Sequence, residues 1–271
     1  MRAPGSVVAP LHVRTPLVRS VALSTPERAV YFKLDCLQPP GSFKLRGIGR
    51  VVQSCAARGV PGVVSSSSGN AGIATAYAAQ QVGLACVVVV PRTTPASIRR
   101  LLEEAYGATA VEHGAVWDEA NAEATRIAEA RGWALVHPFA DPVAWAGHAT
   151  LVEECVEQLA AFDPQGRPTL PDCVVASVGG GGLLQGIITG VVEQRQRLLE
   201  EAQTTDVHVP PRTKVVAVET TGANSFAHSL QSGEASPLPG GQITSIAKSL
   251  GAVTPLAAAV DAALAEPQAA G

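Results

Sequence analysis

Three short segments contain residues whose types and spacing could support catalysis. They read "PPGSFKLRG" at residues 39–47, "VVSSSSGNAG" at 63–72 and "SVGGGGLLQG" at 177–186. A lysine amine, here that of Lys44, can bond covalently to an aldehyde and then act as a base. Loops rich in serine or glycine that lead into a helix bind anions through their backbone N–H groups. Together the segments indicate a site for a small ligand with a carbonyl and anionic groups.

Lys44 is expected near the start of a helix, about two residues after an N-cap at Ser42. A cation at this place opposes the helix dipole. With the apolar neighbours Phe43 and Leu45, this placement predicts a lowered pKa for Lys44. The alternative is a solvated lysine without a chemical role.

The serine segment runs from a predicted strand into a predicted helix. Hydroxyls and backbone N–H groups from Ser65 to Asn70 therefore converge on the positive end of that helix. This arrangement suits a carboxylate or a phosphate, and the Asn70 amide suits an oxygen-bearing ring or a sugar. A flexible polar N-cap is the alternative.

The glycine segment follows a valine-rich strand, and Gly179 to Gly182 let the backbone approach a ligand closely. The segment lacks the Lys-Ser/Thr of a P-loop, and Gln185 interrupts a GxGxxG pattern. A GxGxxxG match that ends at Gly186 keeps a nicotinamide site open, with Glu219 as its ribose-binding acid.

Strands alternate with helices after residue 30, and the strands are valine runs such as "ACVVVVP". This pattern predicts an α/β fold with parallel sheets that are covered on both faces. Asp141 is predicted to cap the helix that follows it. Residues 194–214 are polar and are expected to form a surface excursion.

The composition excludes several classes of protein. The 271 residues are 46% hydrophobic with a net charge of −3, and no charge block suggests nucleic acid or an anionic membrane as partner. The N-terminus lacks the apolar core of a signal peptide, and no apolar run is long enough for a membrane span. Five cysteines without a CxxC pair indicate free thiols in a reducing, cytoplasmic compartment. The histidines lack the spacing of a zinc site.

One lysine, one carboxylate-sized pocket and one phosphate-sized pocket point to a single cofactor, pyridoxal 5′-phosphate (PLP). This cofactor has an aldehyde for Lys44, a phosphate for the glycines and a ring oxygen for Asn70. Its amino-acid substrate has a carboxylate for the serine loop.

Five segments in order resemble the serine/threonine dehydratases, which are PLP enzymes of the tryptophan-synthase-β type (fold type II). They read "PPGSFKLRGIG", "SSSSGNAGIATAYAA", "HPFADPVAWAGHATLVEE", "SVGGGGLLQGI" and "VVAVETTGANSFAHS". The resemblance implies two doubly wound parallel-sheet domains with the cofactor in the cleft between them. Residues 1–38 and 148–271 correspond to the larger, phosphate-loop domain, and residues 39–147 to the smaller, substrate-loop domain.

The resemblance also implies roles for individual residues. Lys44 matches the lysine that bonds to the cofactor and acts in catalysis, and Ser68 is a second catalytic candidate. Phe43 matches a residue that packs on the cofactor ring, Asn70 one that contacts the ring 3′-oxygen, and Pro138 one that contacts the cofactor. The remaining positions match the phosphate loop (Gly179, Gly180, Gly181, Gly182, Leu183), the substrate-carboxylate loop (Ser67, Ser68, Gly69, Asn70, Ala71) and a K⁺ site (Glu219, Ala223, Ser225, Leu250, Ala252).

The implied reaction is the β-elimination of L-serine to pyruvate and ammonia, and of L-threonine to 2-oxobutanoate and ammonia. The implied assembly is a homodimer. Family members continue past the position of residue 271, into a strand whose terminal Cys or Ser bonds the pyridine nitrogen. The chain is therefore expected to lack the C-terminal part of the larger domain.

Two alternatives accompany this interpretation. Ser68 stands where serine racemases have a serine, which favours racemisation. Against it, Ser225 replaces an aspartate of the racemases, and Gly-Asn-Ala replaces their Gly-Asn-His. The second alternative is a truncated, catalytically impaired homologue that acts as a binding protein.

Overall fold

A computed structural model describes residues 9–203 and 209–265. The predicted domain limits at residues 1 and 271 lie outside this range. The strands are β1 (Leu17–Arg19), β2 (Tyr31–Lys33), β3 (Gly62–Ser65), β4 (Ala85–Val90), β5 (Thr109–Glu112), β6 (Ala134–Leu135), β7 (Cys173–Ser177) and β8 (Lys214–Val218). The α-helices are α1 (Lys44–Ala57), α2 (Asn70–Val82), α3 (Ala96–Arg100), α4 (Trp117–Arg131), α5 (Pro142–Leu159), α6 (Gly182–Glu201), α7 (Ser225–Ser232) and α8 (Ala257–Ala265).

The chain divides into two compact units. Unit 1 comprises Met1–Thr15 and Asp35–His137, and unit 2 comprises Pro16–Leu34 and Pro138–Gly271. The α/β alternation predicted from the sequence is confirmed in the described part of the chain. No helix there has the length and apolar character that crossing a membrane requires.

Unit 1 contains a four-stranded parallel sheet with the order β5-β4-β3-β6. Neighbouring side chains in a strand point to opposite faces, yet Val63 and Val64 of β3 are both fully buried. Helices α2 and α4 pack against β3 and β4. The valine runs of this unit therefore form a sheet covered on both faces, as the sequence predicts.

Unit 2 contains the parallel pair β7–β8 and the antiparallel pair β1–β2. Along β7 exposed residues alternate with half-buried ones, and Val175 is 66% exposed. Among the described residues, helices α5 and α6 pack against each other, and α6 covers one face of β7–β8. The prediction of a sheet covered on both faces is therefore wrong for this pair, whose second face has no covering helix in residues 9–203 and 209–265.

Other local expectations also need correction. Residues 194–201 belong to α6 rather than to a surface excursion, because Gln194 and Leu198 are buried; residues 204–208 lie outside the described range. Strand β1 has only three residues and pairs with β2, so its sequence carries little signal. The Asp141 cap is confirmed, since its carboxylate accepts a hydrogen bond from Val143 N at 2.8 Å.

Close contact between α5 and α6 depends on glycine at position 190. A Cβ there lies 2.8 Å from the carbonyl oxygen of Ala149 and 2.9 Å from the Cβ of Val152. We therefore expect Gly190→Ala to lower the free energy of unfolding by about 1–3 kcal/mol, because the helices must separate or shift. Urea unfolding followed by circular dichroism measures this loss.

Gly49→Ala in α1 is the matched control for this prediction. A Cβ at position 49 lies 3.4 Å from Leu11 Cβ, which is an ordinary contact, and alanine is favoured over glycine inside a helix by about 1 kcal/mol. We expect this variant to be as stable as the wild type or more stable. Equal losses in the two variants would contradict the proposed packing constraint.

Candidate active site

Helix α1 begins at Lys44, so this lysine occupies the first helical position. Phe43 is the N-cap, in helical conformation and without a side-chain cap among the described residues. The predicted cap at Ser42 is wrong. A turn precedes the helix, in which the Ser42 and Phe43 carbonyls accept hydrogen bonds from Leu45 N and Arg46 N. The buried Ser42 hydroxyl has no hydrogen-bond partner within the described residues.

The Lys44 side chain is half-buried and lies against its neighbour. Its Nζ is 5.2 Å from the centroid of the Phe43 ring. Burial lowers the pKa of Lys44 from 10.5 to about 8, because desolvation disfavours the ammonium form. The predicted direction of the shift is confirmed, and its principal cause is burial rather than the helix dipole. An amine with such a pKa is a better nucleophile and base near neutral pH.

The serine loop connects the end of β3 to the start of α2. Ser65 and Ser66 are buried, and the Ser66 hydroxyl donates to Asn121 Oδ1 of α4 at 2.8 Å. Ser67 and Ser68 are half-buried. The first two serines therefore complete the strand and its packing, and the next two form the more accessible part of the loop.

The loop folds back tightly on the first turn of α2. A Cβ at Gly72 would overlap the carbonyl oxygen of Ser67. The Gly69 N–H donates to Ser67 Oγ at 3.2 Å, and Gly69 is the N-cap of α2. Asn70 is exposed, whereas Ala71 is buried. Ser67, Ser68 and Gly69 thus lie directly before the backbone N–H groups that open the helix.

The glycine loop of unit 2 connects β7 to α6. Side chains do not fit here: a Cβ at Gly179 would overlap the Leu250 carbonyl oxygen, and one at Gly180 would overlap the Phe139 ring. Gly181 has φ +88° and is the N-cap of α6. Backbone groups alone therefore line this turn, which Leu183 continues into the helix.

The five predicted cation positions lie in the same unit, and the fold brings some of them together. A Cβ at Gly251 would lie 2.7 Å from Ala223 Cβ, and the Leu250 carbonyl contacts the glycine loop at Gly179. Ala252 follows in the same half-buried segment.

Glu219 has a different observed role from a cation ligand. Its carboxylate accepts hydrogen bonds from Phe226 N at 2.9 Å and Ala227 N at 2.8 Å, and so caps α7. The buried Ser225 hydroxyl has no hydrogen-bond partner within the described range. Those residues contain no group of three or more His, Cys, Asp and Glu side chains that could hold a metal ion. The carbonyl-based K⁺ site stays a prediction.

The helix starts of the two candidate loops differ from those of α5 and α7. Asp141 caps α5, and Glu219 caps α7. In contrast, α2 and α6 begin after Gly69 and Gly181, with no side-chain cap supplied by the described residues. Their first backbone N–H groups can therefore donate to an anion.

Asn121 and Phe139 support these loops, and the sequence does not predict either contact. Asn121 holds Ser66 from 55 residues away along the chain, and no local pattern indicates such a pairing. Phe139 supports the glycine loop. Its segment "HPFADP" is part of the resemblance, and an aromatic residue beside Pro138 could have been considered there.

Comparison with known proteins identifies the family. A model described as "Pyridoxal-phosphate dependent enzyme" matches residues 8–267. The chain belongs to this family. It is 44% identical over 255 residues to "Serine dehydratase-like" of Mus musculus, covering 94% of the chain and 70% of that relative.

Two further family members support the membership. "L-serine dehydratase/L-threonine deaminase" of Homo sapiens is 44% identical over 248 residues, covering 90% of the chain and 68% of the relative. The crystal structure of a fungal L-serine ammonia-lyase from Rhizomucor miehei superposes with a TM-score of 0.76 at 32% identity, covering 95% of the chain and 75% of that structure. The chain thus spans about 70% of the two curated relatives.

Family membership implies PLP, and the residues present fit this cofactor. Lys44 offers an amine with a lowered pKa for the aldehyde. The turn at Gly179–Gly182 is a cradle that a Cβ would fill, so its backbone can contact a phosphate. The nicotinamide alternative gives no role to Lys44, and the family match favours PLP over it.

The lowered pKa of Lys44 has a consequence for stability. Between pH 8 and about 10.5 the unfolded chain holds a proton on this amine that the folded chain has lost, so stability is gained as pH rises through this window. Lys44→Met has no such amine and should show no such gain. The variant should therefore be more stable than wild type below pH 8, and this difference in the free energy of unfolding should shrink as the pH rises above 8. Urea unfolding of cofactor-free protein at several pH values measures the difference.

Lys214→Met is the control, because it removes an exposed lysine at the start of β8. Its effect on the free energy of unfolding shows what the loss of an exposed lysine contributes at each pH. An advantage of Lys44→Met that stays constant from pH 7 to pH 10 would contradict the burial of the Lys44 amine.

Proposed function

We propose that the chain catalyses the PLP-dependent β-elimination of L-serine to pyruvate and ammonia, and of L-threonine to 2-oxobutanoate and ammonia. The half-buried Lys44 amine with its lowered pKa is the observation that carries the proposal. The names of the mouse and human relatives supply the substrate class. The reaction balances, because the water lost with the β-hydroxyl returns when the imine product is hydrolysed.

We propose that unit 1 contains the substrate loop and unit 2 the phosphate loop of a PLP enzyme. Lys44 would anchor the cofactor, and the turn at Gly179–Gly182 would hold its phosphate. When bound, PLP supplies an aldehyde and an electron sink for the charge that develops on the substrate α-carbon. In this scheme Phe43 packs on the cofactor ring, Asn70 contacts its 3′-oxygen and Pro138 contacts the cofactor.

The glycine loop is assigned to the cofactor phosphate. The N–H groups from Gly179 to Leu183 open α6 without a side-chain cap among the described residues, so they can donate to phosphate oxygens. A side chain at Gly179 or Gly180 would force the Leu250 carbonyl or the Phe139 ring to move. The backbone geometry of this turn therefore depends on glycine at both positions.

The serine loop is assigned to the substrate carboxylate. The Ser67 and Ser68 hydroxyls, Gly69 and the N–H groups of Asn70 and Ala71 surround the start of α2, where the Gly69 N–H donates to Ser67 Oγ. The helix dipole favours a negative group at this place. The Ser66–Asn121 hydrogen bond holds the base of the loop, so the donors are oriented before the substrate arrives.

Lys44 is assigned as the base that removes the α-proton at its Nζ. A base works best when its pKa lies near the operating pH, and burial brings the Lys44 pKa to about 8. The Phe43 ring covers one side of the amine and reduces its access to water. The same side chain therefore anchors the cofactor before turnover and transfers the proton during it.

Replacing the proposed anchor should remove catalysis. We expect Lys44→Ala to lower kcat for L-serine by at least about 10³-fold and to abolish the visible absorption of lysine-bound PLP, because both the anchor and the base are lost. Lys214→Ala removes an exposed lysine and should behave as wild type. Pyruvate, 2-oxobutanoate and ammonia are measured for both variants.

Several outcomes of this experiment are decisive. The absence of PLP binding by the folded wild-type chain would refute the proposal. Binding without turnover would favour the impaired, binding-only homologue. Turnover by the 271-residue chain itself would exclude that alternative.

Serine racemisation is the second candidate, and Ser68 is the observation that favours it. Its hydroxyl is half-buried in the loop assigned to the substrate. A hydroxyl on the face of the substrate opposite Lys44 could return a proton with inverted configuration.

We expect Ser68→Ala to keep pyruvate formation within about threefold, since one neutral hydrogen bond is lost, and to remove any formation of D-serine. Chiral chromatography of serine after incubation measures the second product. Ser67→Ala is the matched control, which should raise the KM for serine without a selective effect on D-serine. Wild-type protein that forms no D-serine would exclude racemisation, and loss of PLP binding in Ser68→Ala would contradict the placement of the loop.

A further inference from the structure

Arg46 is the largest fully buried side chain of the described residues. Its guanidinium forms a two-point contact with Asp35: Nε donates to Oδ2 at 2.7 Å and Nη2 donates to Oδ1 at 2.8 Å. The Thr15 hydroxyl donates to Asp35 Oδ1 at 2.7 Å and accepts from Arg46 Nη2 at 3.3 Å. Each of the three side chains therefore contacts the other two, away from water.

The partners of Arg46 lie at two special points of the chain. Thr15 is the last residue of unit 1 before the chain leaves for unit 2, and Asp35 is the first residue after it returns. A second contact joins the same two segments: the Gln38 side-chain amide accepts a hydrogen bond from Val13 N and donates one to Val13 O, both at 2.9 Å. Two sets of hydrogen bonds therefore join the segment that leaves unit 1 to the segment that returns to it, and Arg46 connects both segments to helix α1.

Arg46 lies two residues after Lys44 in the first turn of α1. Two positions correspond to about 200° around a helix, so the two side chains leave the helix on nearly opposite sides. The first turn of a helix frays readily unless a cap holds it, and α1 has no side-chain cap among the described residues. The contact of Arg46 with Asp35 and Thr15 therefore holds the same turn that a cap would hold.

We propose that Arg46 is a positioning residue: held by Asp35 and Thr15, it fixes the first turn of α1 and thereby the Lys44 amine. An apolar side chain could also bury itself there, but it would leave the rotation of the turn unspecified. The planar guanidinium fork sets both distance and angle relative to the carboxylate. The effect on catalysis rests on the proposed function, whereas the effect on the helix does not.

Arg46→Lys is the first test variant, because it keeps the charge and loses the fork. In cofactor-free protein we expect amide hydrogen exchange in the first turn of α1 to accelerate by at least about tenfold, since a buried two-point contact is lost. With PLP present we expect kcat for serine to fall by about tenfold or more, because a small misplacement of a reacting group is costly. The KM should change by less than about threefold.

Thr15→Val is the second variant, for the case that Arg46→Lys does not fold. It keeps the shape of the side chain and the Arg46–Asp35 pair, and removes the hydroxyl. We expect a smaller change in the same direction, about fivefold in first-turn exchange, which matches the net effect of one buried hydrogen bond.

Glu154→Gln is the matched control in unit 2. Glu154 accepts from Lys33 Nζ at 2.5 Å, and both side chains are about as buried as Asp35. This variant also weakens a buried ion pair, and both of its residues belong to unit 2, whereas α1 belongs to unit 1. Its global stability should fall, whereas first-turn exchange and kcat should stay at wild-type values after correction for global unfolding.

The outcomes separate the two proposals. First-turn exchange and kcat in Arg46→Lys and Thr15→Val that match Glu154→Gln would overturn the positioning role. Faster exchange together with unchanged kcat would also overturn it, because the helix turn would then not govern Lys44. If the wild-type chain neither binds PLP nor converts serine, the proposed function fails, and the exchange data alone support or overturn the fixation of the turn.

Discussion

Backbone N–H groups at a helix start need hydrogen-bond partners, and this constraint underlies both candidate loops. In α5 and α7 the carboxylates of Asp141 and Glu219 are those partners. In α2 and α6 the N-cap is glycine, and the described residues supply no side-chain cap. Glycine without a capping oxygen leaves the N–H groups available to an external anion. Helices α1, α3 and α4 also lack a side-chain cap on their N-cap residues in the described part of the chain, so the feature that α2 and α6 share is a glycine N-cap after a strand.

The lowered pKa of Lys44 follows from a balance of opposing effects. The start of a helix and burial both disfavour the ammonium form, whereas the face of the Phe43 ring attracts a cation. The pKa is lowered to about 8, so desolvation outweighs the attraction. The same fold that leaves anion-binding N–H groups open thus keeps the amine partly out of water. A PLP enzyme needs both features, because the cofactor has an anionic phosphate and an aldehyde that reacts with an amine.

The sequence predicts those features of the fold that depend on local chemistry. The valine runs of unit 1, the Asp141 cap and the direction of the Lys44 pKa shift are confirmed. The Ser42 cap is wrong because a turn before α1 removes the hydroxyl from the helix N–H groups. Contacts between distant residues are also beyond local reasoning. The partner of Ser66 is 55 residues away, and nothing in "WDEAN" marks Asn121 as that partner.

Buried charged residues are equally hard to predict from the sequence, because charged side chains are usually exposed. Arg46 and Asp35 are buried together, and each alone would be strongly unfavourable in that environment. Such a pair adds little net stability compared with apolar side chains, since desolvation offsets much of the attraction. Its particular contribution is direction: a guanidinium fork accepts one orientation of a carboxylate, whereas apolar packing accepts many. The chain places this directional contact in the first turn of α1, the turn that contains Lys44.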